Sequence, residues 1–226
     1  YAASFGPLKI AWEQYDKVKY TDYLKKYSDI SVRESGSADN VEFLLGIRPP
    51  IHVDPTLLLY KEQWKKIQSD RIHNEERYIL MYCLEPSKEQ LRMVDKISMK
   101  FGLPVMVTRY NNKNDYFNHY QKRYDTGPKE FLELVDKAAF VVTSSFHGTA
   151  FSIIYEKPFF ALDGMSDRRI GNLLTLTGLA NRAVCELDLE DKLTNANQID
   201  FMRAREVLEN ERNKSCQYFM EGLELS

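Results

Sequence analysis

Short apolar runs alternate with stretches of helical periodicity along most of this chain, and Gly, Pro or a polar turn separates one from the next. Tyr78–Leu84, Val105–Thr108, Phe140–Thr143 and Phe159–Leu162 are apolar with no polar face, the pattern of strands buried on both sides. Between them, Ser87–Phe101, Pro128–Ala138, His147–Tyr155 and Arg169–Thr177 carry helical patterns. Gly102 and Gly178 stop two of these helices, and Pro128 opens another. Strand and helix in alternation predict a parallel sheet with helices packed on it.

The region before residue 70 repeats this rhythm in shorter pieces. It reads as a helix over Val18–Tyr27, a strand over Ile30–Arg33, and a helix opened by Ser35-Gly36-Ser37 and stopped by Gly46. A strand over Ile51–Val53 then ends in Asp54-Pro55. From Lys61 to Arg77 the chain is charged and weakly periodic, which places a domain junction near residue 70. Two α/β units of Rossmann-like character result, residues 1–70 and 71–226. Tyr110–Thr126 reads as a long polar loop, and Gln198–Leu223 as a long helix rich in Glu and Arg. The chain opens on Tyr1-Ala2-Ala3-Ser4-Phe5-Gly6, patterned like a core strand and without Met. We therefore expect N-terminal sequence to precede it, although processing or a chosen boundary gives the same start.

Composition narrows the classes. Of 226 residues, 43% are hydrophobic and 28% charged, ordinary for a soluble α/β protein. A formal charge of −2 supplies no field for nucleic acid or an anionic membrane. Cys83, Cys185 and Cys216 are dispersed and odd in number, so a disulfide framework and a zinc site are both unexpected. No apolar run approaches the about 20 residues of a transmembrane helix, and no signal-peptide pattern is present, so the expected location is the cytoplasm. Neither GxGxxG nor a Walker loop occurs, which leaves a dinucleotide or ATP reading without a motif.

Candidate chemistry gathers where apolar strands end. Val141-Val142-Thr143 runs into Ser144-Ser145-Phe146-His147-Gly148-Thr149 and then a helix. Such a turn offers unpaired backbone N–H groups and the positive end of a helix to an anion. Ser144, Ser145 and Thr149 add hydroxyl donors, and Gly148 admits a ligand to the backbone. His147 can act there as a general acid or base, or as an imidazolium donor to phosphate. The plainer alternative is that Ser145 caps the helix and His147 bonds a nearby carbonyl. Arg33 and Glu34 follow a second apolar strand, where Arg33 offers a planar fork and Glu34 holds it or serves as a base. On spacing alone, an exposed ion pair at the strand end is the plainer alternative. Asp54-Pro55-Thr56 reads first as a turn. Arg168 and Arg169 open a helix and either clamp an anion or face solvent. Tyr110, Tyr116, Phe117, Tyr120 and Tyr124 are loop anchors or stacking faces for sugars.

Taken together, Tyr1–Gly6, Ser31–Glu34, Asp54–Thr56, Gly127–Phe131, Thr143–Ser152 and Lys157–Phe159 resemble the polysaccharide pyruvyl transferase family, in the family's order and over residues 1 to about 180. Ser145-Phe146-His147-Gly148-Thr149-Ala150-Phe151-Ser152 is the most specific block. The resemblance implies a GT-B-like arrangement of two Rossmann-like domains, with the first incomplete here. It further implies a transferase that moves the pyruvyl group of phosphoenolpyruvate onto a sugar or lipid-linked oligosaccharide as a ketal, for cell-surface or capsular polysaccharide. Neither metal nor cofactor is implied. His147 would shuttle protons, with Arg33, Glu34 and the turn around Ser144, Ser145, Gly148 and Thr149 holding the donor. Some members carry Arg-Leu-His where this chain has Ser145-Phe146-His147, so Arg168, Arg169 or backbone amides would supply the anion contact. The rival classes are a nucleotide-sugar-dependent glycosyltransferase of the same fold and a non-catalytic glycan-binding module.

Overall fold

A computed structural model describes residues 1–6, 10–71, 76–108, 119–123 and 125–224. Among these residues, six strands form one parallel sheet: β1 (Ile79–Tyr82), β2 (Val105–Thr108), β3 (Gln121–Arg123), β4 (Phe140–Thr143), β5 (Phe159–Leu162) and β6 (Ala183–Val184). Their order is β3-β2-β1-β4-β5-β6. Register pairs Ile79 with Val105 on one side and with Phe140 on the other. The expected α/β class with a parallel sheet is the observed one.

Helices cover both faces, which is why the central strands lack a polar side. Leu80, Val141, Phe159 and Ala161 point to the face packed by α5 (Pro128–Lys137), α6 (Phe146–Ile154) and α7 (Arg168–Leu176). Ile79, Met81, Val142 and Phe160 point to the opposite face, against α4 (Lys88–Phe101) and α8 (Leu189–Leu193). Ser87 caps α4 reciprocally with Gln90, and Gly102 ends it at φ 62°, a conformation that favours Gly.

The N-terminal region forms a smaller parallel arrangement. Val32 is bridged to Ala3 on one side and Ile51 on the other, so the expected strands over Ile30–Arg33 and Ile51–Val53 reduce to single bridges. α1 (Lys17–Leu24) and α2 (Ser35–Leu45) follow the predicted positions, and Val32, Ala38 and Val41 form a small core. A short 3-10 turn (Pro55–Leu58) follows Asp54, and α3 (Lys61–Lys65) is present where the charged stretch from Lys61 predicted no element. β3 falls inside the expected long loop. α9 (Met202–Glu224) returns across this region: Arg212 donates to the Leu57 carbonyl at 2.8 Å, and Tyr1 stacks on Phe219 with ring centroids 4.3 Å apart. No described helix is long and apolar enough to cross a membrane.

Candidate functional site

The sheet order turns between β1 and β4, and parallel sheets open a crevice at the carboxyl ends of strands at such a point. Thr143 closes the floor of this one. Its hydroxyl donates to the Tyr82 carbonyl at 2.6 Å and accepts the Ser145 amide at 3.0 Å. A Cβ on Gly148 would lie 2.1 Å from Thr143 Oγ1 and 3.1 Å from Tyr82 Cδ1. The close approach that Gly148 permits is therefore that of α6 onto the strand end.

Ser145 takes the N-cap position of α6 in extended backbone, and its side chain caps nothing. The first-turn amides are thus left to the crevice, with the helix dipole behind them. Ser144 is half-buried and hydrogen-bonded with Cys83, whose thiol burial pushes up to about 11. Thr149 is fully buried and donates to the Ser145 carbonyl at 3.1 Å, so its hydroxyl is committed inside α6. His147 is different, with 48% of its side chain exposed.

The N-terminal region brings three charged groups to this helix start. Arg33 Nη1 pairs with Asp54 Oδ2, and its guanidinium carbon lies 4.8 Å from the centroid of the Phe146 ring. Asp54 also accepts the Thr56 amide at 2.9 Å and the Thr56 hydroxyl at 2.7 Å, so the expected turn is present and the side chain does more than make it. Burial opposes ionisation of Asp54, but the Thr56 donors and Arg33 outweigh it and hold the carboxyl below its ordinary range. His147 Nε2 stands 3.9 Å from Asp54 Oδ1, too long for a hydrogen bond and close enough to favour an imidazolium. Burial is the larger influence on His147, and with Arg33 and Arg169 it moves the pKa below 6.5 against the pull of Asp54. Glu34 is 1% exposed; Ser4 and Ser37 donate to its Oε1, and its Oε2 lies 3.4 Å from Arg33 Nε. That placement fits holding Arg33 better than serving as a base.

The two arginines of α7 separate. Arg169 forms a forked pair with Asp167, at 3.1 and 2.6 Å, and lines the same cavity as Arg33 and Asp54. Arg168 is half-exposed, reaches Asp39 at 4.0 Å and lies across Gly36 of α2. Asn172 of α7 donates to Ser35 at 3.2 Å, which ties this helix to α2 beside the site.

Two cavities flank the first turn of α6. One, of about 360 Å³, contains Arg33, Asp54, Phe146 and Arg169. The other, of about 570 Å³, contains His147 with Tyr82, Thr108, Phe131 and Phe151. Among the described residues no cluster of metal-ligating side chains occurs. The sequence reading gave Asp54 first to a turn and did not single out Tyr82, Thr108 or Phe131 as site residues. Thr108 ends an apolar strand at its carboxyl edge, the signal that singled out Arg33 and Ser144, and it had the same claim. Tyr110, Tyr116, Phe117 and Tyr124 lie outside the described residues; Tyr120 is buried and donates to Asp95 at 2.6 Å, an anchor.

The family model described as "Polysaccharide pyruvyl transferase" matches residues 1–164. No curated protein gives a significant match. Among solved structures, the UDP-GlcNAc 2-epimerase of Neisseria meningitidis, bound to UDP-GlcNAc, is similar in fold at 10% identity and a TM-score of 0.57, over 85% of this chain and 60% of that one. UDP-N-acetylglucosamine 2-epimerase from Rickettsia bellii gives 10% identity and 0.58, over 96% and 65%. The enzyme from Methanocaldococcus jannaschii gives 11% and 0.53, over 87% and 61%. This chain thus spans less than two thirds of the length of these structures, and at such identities the likeness is one of fold.

Proposed function

We propose a pyruvyl-transfer function on one premise: the chain belongs to the polysaccharide pyruvyl transferase family. The reaction moves the pyruvyl group of phosphoenolpyruvate onto two hydroxyls of a sugar, free or lipid-linked. A proton adds to the methylene carbon of the donor, and positive charge develops at C2. One sugar hydroxyl adds there and loses its proton. The bond from C2 to the phosphate oxygen breaks, and the second hydroxyl closes the ketal and loses its proton in turn. One released proton replaces the one spent on the methylene; the other leaves with phosphate.

The observation that carries this reading is the meeting of His147, Arg33 and Asp54 at the uncapped start of α6. Arg33 and Arg169 share a cavity and give the donor's carboxylate or phosphate cationic partners. The α6 amides, with Ser144 and Ser145, add neutral donors to that anion. His147 supplies the proton transfers. Without ligand, burial keeps its ring mostly neutral near pH 7. The negative charges of a bound donor would favour the imidazolium, so donor binding and proton uptake reinforce each other. Glu34 holds Arg33 from behind. None of these steps calls on a metal or redox group.

The test is product analysis. Phosphoenolpyruvate labelled with carbon-13 at C2 and C3, incubated with the complete gene product and sugar acceptors, is expected to give a quaternary ketal carbon coupled to a methyl group. Turnover of a UDP-sugar, with phosphoenolpyruvate untouched, would overturn the reading.

A further inference from the structure

We infer that the 570 Å³ cavity beside His147 is the acceptor subsite and takes an uncharged pyranose ring, which rests on the reading above and extends it. The cavities on either side of the α6 start differ in chemistry. The smaller holds Arg33 and Arg169, the larger no Lys, Arg, Asp or Glu among its described lining residues. Among these described residues a phosphate or nucleotide would find no permanent cation. The N-terminus of α5, which borders the cavity, is already occupied by a carboxylate: Gly127 N donates to Glu130 Oε2 at 3.1 Å.

What the described residues of the larger cavity offer is aromatic surface and a buried hydroxyl without a partner, that of Thr108. Tyr82 and Phe131 are half-buried, with ring centroids 4.6 Å apart at 44°, so part of each ring is left open. Phe151 stands edge-on behind Phe131 at 5.7 Å and 81° and fixes that ring. Aromatic faces of this kind meet the apolar C–H face of a pyranose and reject strongly hydrated anions. Thr108 is 3% exposed, and its Oγ1 is buried with no hydrogen-bond partner. A buried hydroxyl left unpaired is costly, and a sugar hydroxyl in this cavity would pair it. His147 lines the same space, so a sugar seated here presents its hydroxyls to the group that receives their protons.

Thr108→Val and Phe131→Ala in the complete gene product separate this from a packing role. Binding of a panel of methyl hexopyranosides is followed by ligand-observed NMR, with UDP as competitor, and phosphoenolpyruvate is titrated separately. At least one glycoside is expected to bind, about 3- to 10-fold more weakly to Thr108→Val and about 10-fold or more weakly to Phe131→Ala. Phosphoenolpyruvate affinity should stay within about twofold in both. Thr108→Val should also keep its melting temperature, because the lost hydroxyl has no partner in the free protein. If Phe131→Ala fails to fold, Thr108→Val decides. Glycoside binding that is absent, unchanged by Thr108→Val, or displaced by UDP would overturn the assignment. Failure to bind phosphoenolpyruvate would instead count against the donor reading and leave the glycoside result to be judged alone.

Discussion

His147 Nε2 stands 3.9 Å from Asp54 Oδ1, and the other oxygen of that carboxylate is paired with Arg33. One buried anion therefore sits between a permanent cation and a titratable one. The Thr56 donors and Arg33 hold Asp54 as a carboxylate, and Asp54 in turn offsets part of the burial and cationic repulsion that disfavour a charged His147. The three groups come from different elements, and each alone has a plain structural explanation.

The first expectation follows from that electrostatics. The His147 ring should titrate below 6.5 in the free protein, followed by its ring-proton NMR signals. Asp54→Asn removes the one influence that raises this pKa, so titration should move to still lower pH. Saturating phosphoenolpyruvate should move it upward. A ring that titrates at its ordinary value in both proteins would show that Asp54 does not act on it.

Arg33 is expected to matter twice over. Arg33→Lys keeps the charge and loses the fork, and phosphoenolpyruvate affinity should fall by about tenfold, measured by titration calorimetry. Arg33→Ala leaves Asp54 and Glu34 buried without their cation and should cost about 3 kcal/mol or more in chemical denaturation. Equal donor affinity for Arg33→Lys and the parent would remove Arg33 from the donor site.

Much of this arrangement was legible in the sequence. Gly102 and Gly46 end α4 and α2 in left-handed backbone, and the apolar run into Ser144-Ser145-Phe146-His147 gave the strand, the turn and the helix start. What escaped was set by contacts distant in sequence. Gln121–Arg123 has no apolar pattern and forms β3 because Val107 and its neighbours present an open edge for pairing. β6 is two residues long and is held by pairing with Ala161 and Leu162. α3 is polar over most of its length and packs on α5, with Trp64 edge-on to Phe151 at 5.0 Å. Asp54 was visible as a turn residue, but its approach to His147 joins residues 93 positions apart in sequence, which no local pattern encodes.

Gly148 tests whether fold and chemistry can be told apart here. Gly148→Ala would drive a methyl group into Thr143 Oγ1, which is held in place by the Tyr82 carbonyl and the Ser145 amide. A loss of about 1–3 kcal/mol is expected in thermal or chemical unfolding, with donor affinity reduced because the α6 start is displaced. An unchanged melting temperature would show that the turn yields readily.

Acid should act on stability in two windows. His52 and His147 both have folded pKa values below 6.5, chiefly through burial, so the unfolded chain takes up protons first and stability falls as pH drops below about 6.5. His52→Phe keeps a ring against Tyr1 and Tyr218 and should flatten that slope. Asp54 has a folded pKa below 3.8, so its contribution is present above 3.8 and lost as pH falls through the folded value; Asp54→Asn should weaken that lower limb. Denaturation midpoints from pH 8 to 3 check both, and slopes identical in parent and variants would contradict the assignment.

Phosphate release from phosphoenolpyruvate in the presence of sugar acceptors, compared between the complete gene product and its His147→Ala variant, bears most directly on the central claim. The parent should release phosphate only with an acceptor present, and the variant should keep its fold while kcat drops by about 10²–10⁴. A folded variant that turns over phosphoenolpyruvate at the parent's rate would contradict the role given to His147, and a parent that releases no phosphate with any acceptor would contradict pyruvyl transfer itself.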